Sequence, residues 1–348
     1  MPFADILGQD RALSHLRLAL SEGRLSQAYC FFGPPGVGKR ATALALAQAV
    51  NCLATPARAP APAADACGTC AACRKVAAGL HPDVTEVRPA GKTVIGIDQV
   101  REVTGRAALC AYEGRTKVFI LDPAELMQEP AANALLKTLE EPTGATLFIL
   151  VTAAPNALLP TILSRCQGVR FDPLGEGPLR DLLLRRGRTP EAAAAIAALA
   201  GGSAERALTL DVGEARAARD RIVREVWGGL GSLVAILDRA EELTRERDRT
   251  KLDEALEILV GFTRDVAVAK VGGPMAALVH TDRRAEVARL AAGCSVGAIL
   301  ATYEAQMEAR RALAKNANPR FTMERLLLRM RQAMGEGQEG GHAARGAC

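Results

Sequence analysis

The first half of the chain alternates between two apolar periods. Leu13, Leu16 and Leu20 recur on one helical face within 10–22. "AYCFFG" (28–33) then reads as a short buried strand running into a glycine loop, and "RATALALAQAVNC" (40–52) as a helix beginning at that loop. "DVTEVRP" (83–89) has strand-like alternation, and "GIDQVREVTGRAAL" (96–109) places Ile97, Val100 and Val103 inward on a helix. "KVFILD" (117–122) and "TLFILVT" (146–152) are too short and too continuously apolar for amphipathic helices, and suit strands buried on both faces. Between them, "PAANALLKTLEEP" (130–142) carries Ala132, Leu135, Leu136 and Leu139 at helical spacing until Pro142 stops it. Strands alternating with helices predict a parallel α/β domain.

After "VRFDPL" (169–174) no strand pattern remains. Residues 175–212 read as a small Ala- and Arg-rich helical unit and 213–335 as longer helices. The glycine-rich end, 335–348, is expected to be disordered, and "LATPARAPAPAADA" (53–66), rich in Pro and Ala, to be a flexible excursion.

Composition narrows the classes. The 348 residues suffice for two or three domains, and 49% hydrophobic residues give an ample core, supplied mostly by Ala and Leu because aromatics are only 3%. A net charge of +5 permits nucleic acid as a partner without arguing for it. "MPFADILGQDRAL" has no charged segment followed by an apolar run, and no stretch of ~18 apolar residues suggests a membrane span. A cytoplasmic chain with no membrane partner is therefore expected. The nine cysteines, an odd number with four close together, favour metal binding over a disulfide framework.

The loop is Gly33, Pro34, Pro35, Gly36, Val37, Gly38, Lys39 and Arg40. It follows the phosphate-binding pattern up to its last position, where a Ser or Thr hydroxyl ordinarily holds magnesium. Glycines let backbone N–H groups turn toward phosphate oxygens, the following helix adds its positive end, and Lys39 would reach the outer phosphates. A strand-to-helix turn that merely needs glycine is the plainer alternative. A hydrolysing site also needs an apolar strand ending in Asp-Glu. Here the strand ends in Asp122 and then Pro123, with Glu125 nearby but out of place. With the hydroxyl also missing at Arg40, no hydrolysis by this chain alone is expected, and the loop is left as a site where ATP or ADP is possible but not required; Asp122 otherwise only ends a strand.

Cys52, Cys67, Cys70 and Cys73 are spaced to close one tetrahedral structural zinc site with no open position, against the alternatives of unconnected core cysteines or a redox dithiol. His81 is a weaker substitute for Cys52. Cys30, Cys110 and Cys294 are expected to be buried fillers. "LLPTILSRCQ" (158–167) places Arg165 between a helix and a strand, where an arginine serves either as a solvated cap or as a finger that neutralises charge at a neighbouring subunit's ATP. Basic runs at 184–188 and 245–251 read as solvated helix faces.

Taken in order, "GQDRAL", "GPPGVGK", "CGTCAACRKVAAGLHPD", "AANALLKTLEEP", "LLPTILSRCQ" and "NANPR" resemble the bacterial clamp-loader ATPase family of the AAA+ class across 5–332. The resemblance implies an AAA+ domain over 1–172 with a zinc module at 52–73. It further implies a helical lid over 173–212, an all-α collar over 213–334 that builds a five-subunit ring, and a tail over 335–348. Three departures separate this chain from the family's gamma/tau motor: Arg40 for the hydroxyl, Pro123 for the catalytic Glu, and Glu205 for the sensor-2 Arg. The family's sensor-1 position carries over to Thr152. The implied role is a non-hydrolysing subunit of the DNA polymerase III holoenzyme, with no polymerase site of its own. It would offer Arg165 in trans to ATP on an adjacent gamma/tau subunit, in a ring with a delta subunit, so that a sliding clamp is placed on primer–template DNA. An active gamma/tau-type ATPase and a zinc-containing nucleic-acid-binding protein with a decayed loop are the competing readings.

Overall fold

The computed structural model describes every residue except 55–63, 90–93, 142–143, 228–231, 246–248, 274–277, 279, 315–316 and 344–348. Most of the Pro/Ala-rich excursion, and the Pro142 stop, therefore lie outside the described residues. Two compact units are present, Met1–Thr209 and Leu210–Cys348.

The first unit is built on a five-stranded parallel sheet: β1 (Ala28–Phe32), β2 (Val84–Val87), β3 (Lys117–Leu121), β4 (Thr146–Thr152) and β5 (Gln167–Arg170), in the order β2-β3-β4-β1-β5. β3 and β4 are buried along their whole length, which is why both read as unbroken apolar runs. The helices of this layer are α1 (Asp10–Ser21), α2 (Lys39–Asn51), α3 (Ala71–Ala77), α4 (Ile97–Ala107), α5 (Glu129–Glu140) and the single turn α6 (Pro160–Leu163). Val100, Val103, Leu135 and Leu139 join Phe119, Phe148 and Leu150 in one core under the sheet. Ile97 and Leu136, expected inward, are only partly buried at its margin. Three more helices complete the unit: α7 (Glu176–Arg185), α8 (Pro190–Leu199) and α9 (Ala204–Thr209). Pro190 opens α8 and the Thr189 hydroxyl accepts the Ala192 N–H, the N-terminal chemistry a short helix needs.

Register fixes the functional edge. Phe32 pairs with Thr152, and Leu121 with Leu150. The glycine loop after β1, Asp122 after β3 and Thr152 at the end of β4 thus emerge side by side at the carboxyl ends of the strands. The strand order steps outward in both directions from β1 and β4, and that is where ligands bind in open parallel sheets.

The second unit is all helical: α10 (Val212–Trp227), α11 (Leu233–Thr244), α12 (Arg249–Lys270), α13 (Arg284–Gly293), α14 (Val296–Ala314) and α15 (Pro319–Ala343). Val223, Leu256, Phe262, Met323 and Leu327 centre its core. The buried Asp265 carboxylate accepts the His280 backbone N–H at 2.7 Å and lies 2.8 Å from its Nδ1. α15 runs to Ala343, into the segment expected to be disordered. Extending a helix that is already nucleated fixes one residue per hydrogen bond gained, so a poor helix-forming sequence can be carried along. No single helix among the described residues is long and apolar enough to cross a membrane.

Candidate functional site

The glycine loop is shaped by close approaches that the sequence pattern alone does not contain. A Cβ on Gly33 (φ +148°) would lie 2.1 Å from the Phe171 carbonyl oxygen, and one on Gly36 (φ +71°) 2.1 Å from the Ser203 hydroxyl. Both positions need glycine for space as well as for backbone conformation. The turn before α9 thus sits directly on the loop, and the Glu205 N–H donates to the Gly36 carbonyl at 3.2 Å. The buried Lys39 bends back on its own loop: Nζ donates to the carbonyls of Gly33 at 2.6 Å and Pro34 at 2.5 Å. Burial pushes the Lys39 ammonium below its usual range, against the opposing pull of Glu125, Asp122 and Glu205.

Arg40, in the magnesium-hydroxyl position, reaches sideways. Its Nε and Nη2 grip Glu86 of β2 at 2.7 and 3.1 Å, and Nε lies 4.0 Å from Asp122. Arg88 completes the cluster, 3.4 Å from Asp122 and 3.6 Å from Glu86. Burial raises the Asp122 carboxyl above its ordinary range, while Arg88, Arg40 and Lys39 oppose the rise. The carboxylate that a motor would reserve for magnesium is here flanked by two guanidinium groups of its own chain. Pro123 follows it through a cis peptide bond, and Glu125, the nearest acid beyond, accepts the Ala153 N–H at 3.0 Å. Thr152, buried, spends its hydroxyl on the Ala154 N–H at 3.0 Å.

Arg165 lies apart from this cluster, in the turn between α6 and β5. Its Nη1 donates to the Thr161 carbonyl at 2.8 Å and the Ser164 hydroxyl at 3.2 Å, and its Nη2 pairs with Glu140 at the end of α5. The arginine keeps a third of its side chain exposed (33%), so it is anchored and still reachable.

The four cysteines meet. Their Sγ atoms all lie within 4.8 Å of one another, and Cys67 and Cys73 are 4.0 Å apart. A tetrahedron with metal–sulfur bonds of about 2.3 Å requires sulfurs roughly 3.8 Å apart, so a small adjustment would close it. Backbone N–H groups point at three of the sulfurs: Cys67 toward Cys52 at 3.4 Å, Cys70 toward Cys67 at 3.3 Å and Cys73 toward Cys70 at 3.5 Å. Such bonds stabilise thiolate, and those from Thr69 and Cys70 draw the Cys67 thiol down to about 6. An all-sulfur donor set of this shape fits zinc. His81 stands outside the cluster, its Nδ1 accepting the Asp83 N–H at 3.2 Å. Cys30 is buried, but Cys294 is only half-buried and Cys110, expected inside, is exposed because the chain leaves α4 into a surface loop there.

Several participants carry no sequence signal. Glu86 and Arg88 reach Arg40 and Asp122 only through the β2–β3 pairing. Gln9, inside the quoted "GQDRAL", is buried. Its amide donates to the Val37 carbonyl at 3.1 Å and the Asp172 carbonyl at 2.7 Å, and its oxygen accepts the Asp172 N–H at 3.3 Å. Asp65 accepts the Phe3 and Ala4 N–H groups at 2.8 and 3.0 Å, binding the N-terminal turn to the cysteine module.

A parallel sheet in this order, with a phosphate-type loop after the strand that pairs with β4 and β5 and a small helical unit resting on that loop, defines the AAA+ class. The family model described as "DNA polymerase III, delta subunit" matches residues 8–175, and its C-terminal counterpart matches residues 237–332. DNA polymerase III subunit delta' of Bacillus subtilis is 28% identical over 93% of this chain and 96% of its own length. The same subunit of Pseudomonas aeruginosa is 40% identical over 62% of this chain and 65% of its own. DNA polymerase III subunit gamma/tau of Mycobacterium tuberculosis is 37% identical over 53% of this chain and 31% of its own. The chain belongs to the delta-prime family of DNA polymerase III clamp-loader subunits.

Proposed function

We propose that this chain is a clamp-loader subunit that binds but does not hydrolyse nucleotide and completes the ATPase site of a neighbour. The observation that carries the reading is the cluster of Arg40, Arg88, Glu86 and Asp122. The magnesium-binding hydroxyl is replaced by a guanidinium that already holds Glu86 and approaches Asp122. With proline at 123 in place of the glutamate that orients water, two requirements of hydrolysis are missing together. Arg165, in contrast, is intact, partly exposed and fixed in place. The natural recipient is ATP on an adjacent gamma/tau-type motor subunit, because a finger in trans needs no catalysis by the chain that carries it. In this reading, the assembly with gamma/tau and a delta subunit opens the sliding clamp and releases it on primer–template DNA in the cytoplasm. The first unit contributes the AAA+ domain and lid, the helical unit contributes the ring's collar, and the four cysteines hold a structural zinc ion.

The test is ATP turnover, by the purified chain and by the chain mixed with gamma/tau, delta, clamp and primed DNA. No turnover by the chain alone, and stimulation of the mixture by wild type but not by Arg165→Ala, are expected. Turnover by the chain alone that disappears in Lys39→Ala would instead identify an active motor.

A further inference from the structure

We propose that Glu140 is the positioning residue that aims Arg165 at the neighbour's phosphate. The proposal rests on the reading of Arg165 as a finger acting in trans. A guanidinium has five N–H donors in a planar fork. Nη1 donates to the Thr161 carbonyl and the Ser164 hydroxyl, and Nη2 forms an ion pair with Glu140. Nε–H makes no hydrogen bond to the described residues, which leaves it for a phosphate oxygen.

The three anchors are not equivalent. Thr161 and Ser164 belong to the same turn as Arg165 and move with it. Glu140 closes α5, a twelve-residue helix whose Ala132, Leu135 and Leu139 are seated in the core under the sheet. Among the described residues, only Glu140 ties the guanidinium to the rigid body of the domain. With Nη1 held by the turn and Nη2 by Glu140, rotation about the last side-chain torsions is restrained. Without Glu140, only Nη1 is held, and by groups that move with the arginine. A carboxylate at this place also serves at little cost, since the pair is half exposed (47% for Glu140) and water screens its pull on the guanidinium.

The experiment uses the reconstituted complex with gamma/tau, delta, clamp and primed DNA, and reads the turnover that depends on adding this chain. Glu140→Ala is expected to lower kcat by about tenfold, within the roughly 10²-fold that a 1 Å misplacement produces. KM for ATP should stay unchanged, because the neighbour binds the nucleotide. Glu140→Gln keeps an oxygen acceptor and should remain within about threefold of wild type, a neutral acceptor being about half as strong as a charged one. The double variant Arg165→Ala/Glu140→Ala should match Arg165→Ala alone, since Glu140 acts only through the arginine. A purely structural role would lower all variants alike and add to the Arg165→Ala loss. Reduced turnover for Arg165→Ala with wild-type or faster turnover for Glu140→Ala overturns the positioning role and leaves the finger standing. Wild-type turnover for Arg165→Ala overturns both.

Discussion

Removing the proposed zinc from the cysteine module offers the most quantitative test of that assignment. Cys52 and Cys67 are fifteen residues apart, and α3, with only seven residues, begins inside the module and carries Cys73. A cross-link closing a loop of that length withdraws roughly 3 kcal/mol of chain entropy from the unfolded state. A helix as short as α3 does not persist unsupported in water. Loss of the module also frees Asp65, whose two hydrogen bonds hold Phe3 and Ala4, each bond to a charged acceptor being worth about 1.5 kcal/mol or more. Partial exposure of Asp65 discounts that second contribution, so the first unit should lose roughly 3–5 kcal/mol, or about 6–20 °C in melting temperature at ~2–4 °C per kcal/mol. Elemental analysis should find about one zinc per chain, the count set by four ligands. Calorimetry with and without a strong chelator then reads the shift, and Cys73→Ser should reproduce it without chelator. A metal-free preparation whose first transition is as stable as that of the untreated protein would refute the reasoning.

Two further outcomes follow from single side chains. Because Arg40 places a fixed cation beside Asp122, ADP bound to the loop should keep its affinity when magnesium is chelated, and Arg40→Thr should make binding magnesium-dependent without restoring turnover; strict magnesium dependence in wild type, read by calorimetric titration, contradicts this. Asp83 is buried, yet it accepts the N–H groups of Tyr112, Glu113 and Gly114 at 2.7, 2.9 and 2.7 Å. Burial alone would raise its carboxyl, but those N–H groups and nearby His81 hold it below the usual range. Its contribution is therefore present above the ordinary carboxylate pKa and disappears as pH falls through the lowered native value. Asp83→Ala should cost about 3 kcal/mol at neutral pH, measured by urea unfolding, and the gap from wild type should narrow in acid; a gap that is constant with pH would count against it.

The sheet and the ends of its strands were legible in the sequence because their signals are local. A glycine loop between a strand and a helix, an apolar run stopping at Asp122, and cysteines two residues apart each lie within a few positions of one another. What was not legible depends on partners far apart in the chain. Glu86 becomes a ligand of Arg40 only when β2 lies beside β3. Ser203 crowds Gly36 from the far end of the first unit, and Glu140 meets Arg165 only when α5 ends beside the turn after α6. Residue type misled at Cys110, because a small apolar side chain says little about burial where the chain turns outward.

Gln9 gives the loop a further property. One primary amide, fixed on α1's doorstep, holds the Val37 carbonyl of the loop and both polar backbone atoms of Asp172, where β5 departs toward α7. In a machine whose moving part is pinned by its fuel, the joint slackens each time fuel is spent. Here the pin is part of the polypeptide, so the point where β5 departs toward α7 is fastened to the loop by the chain itself.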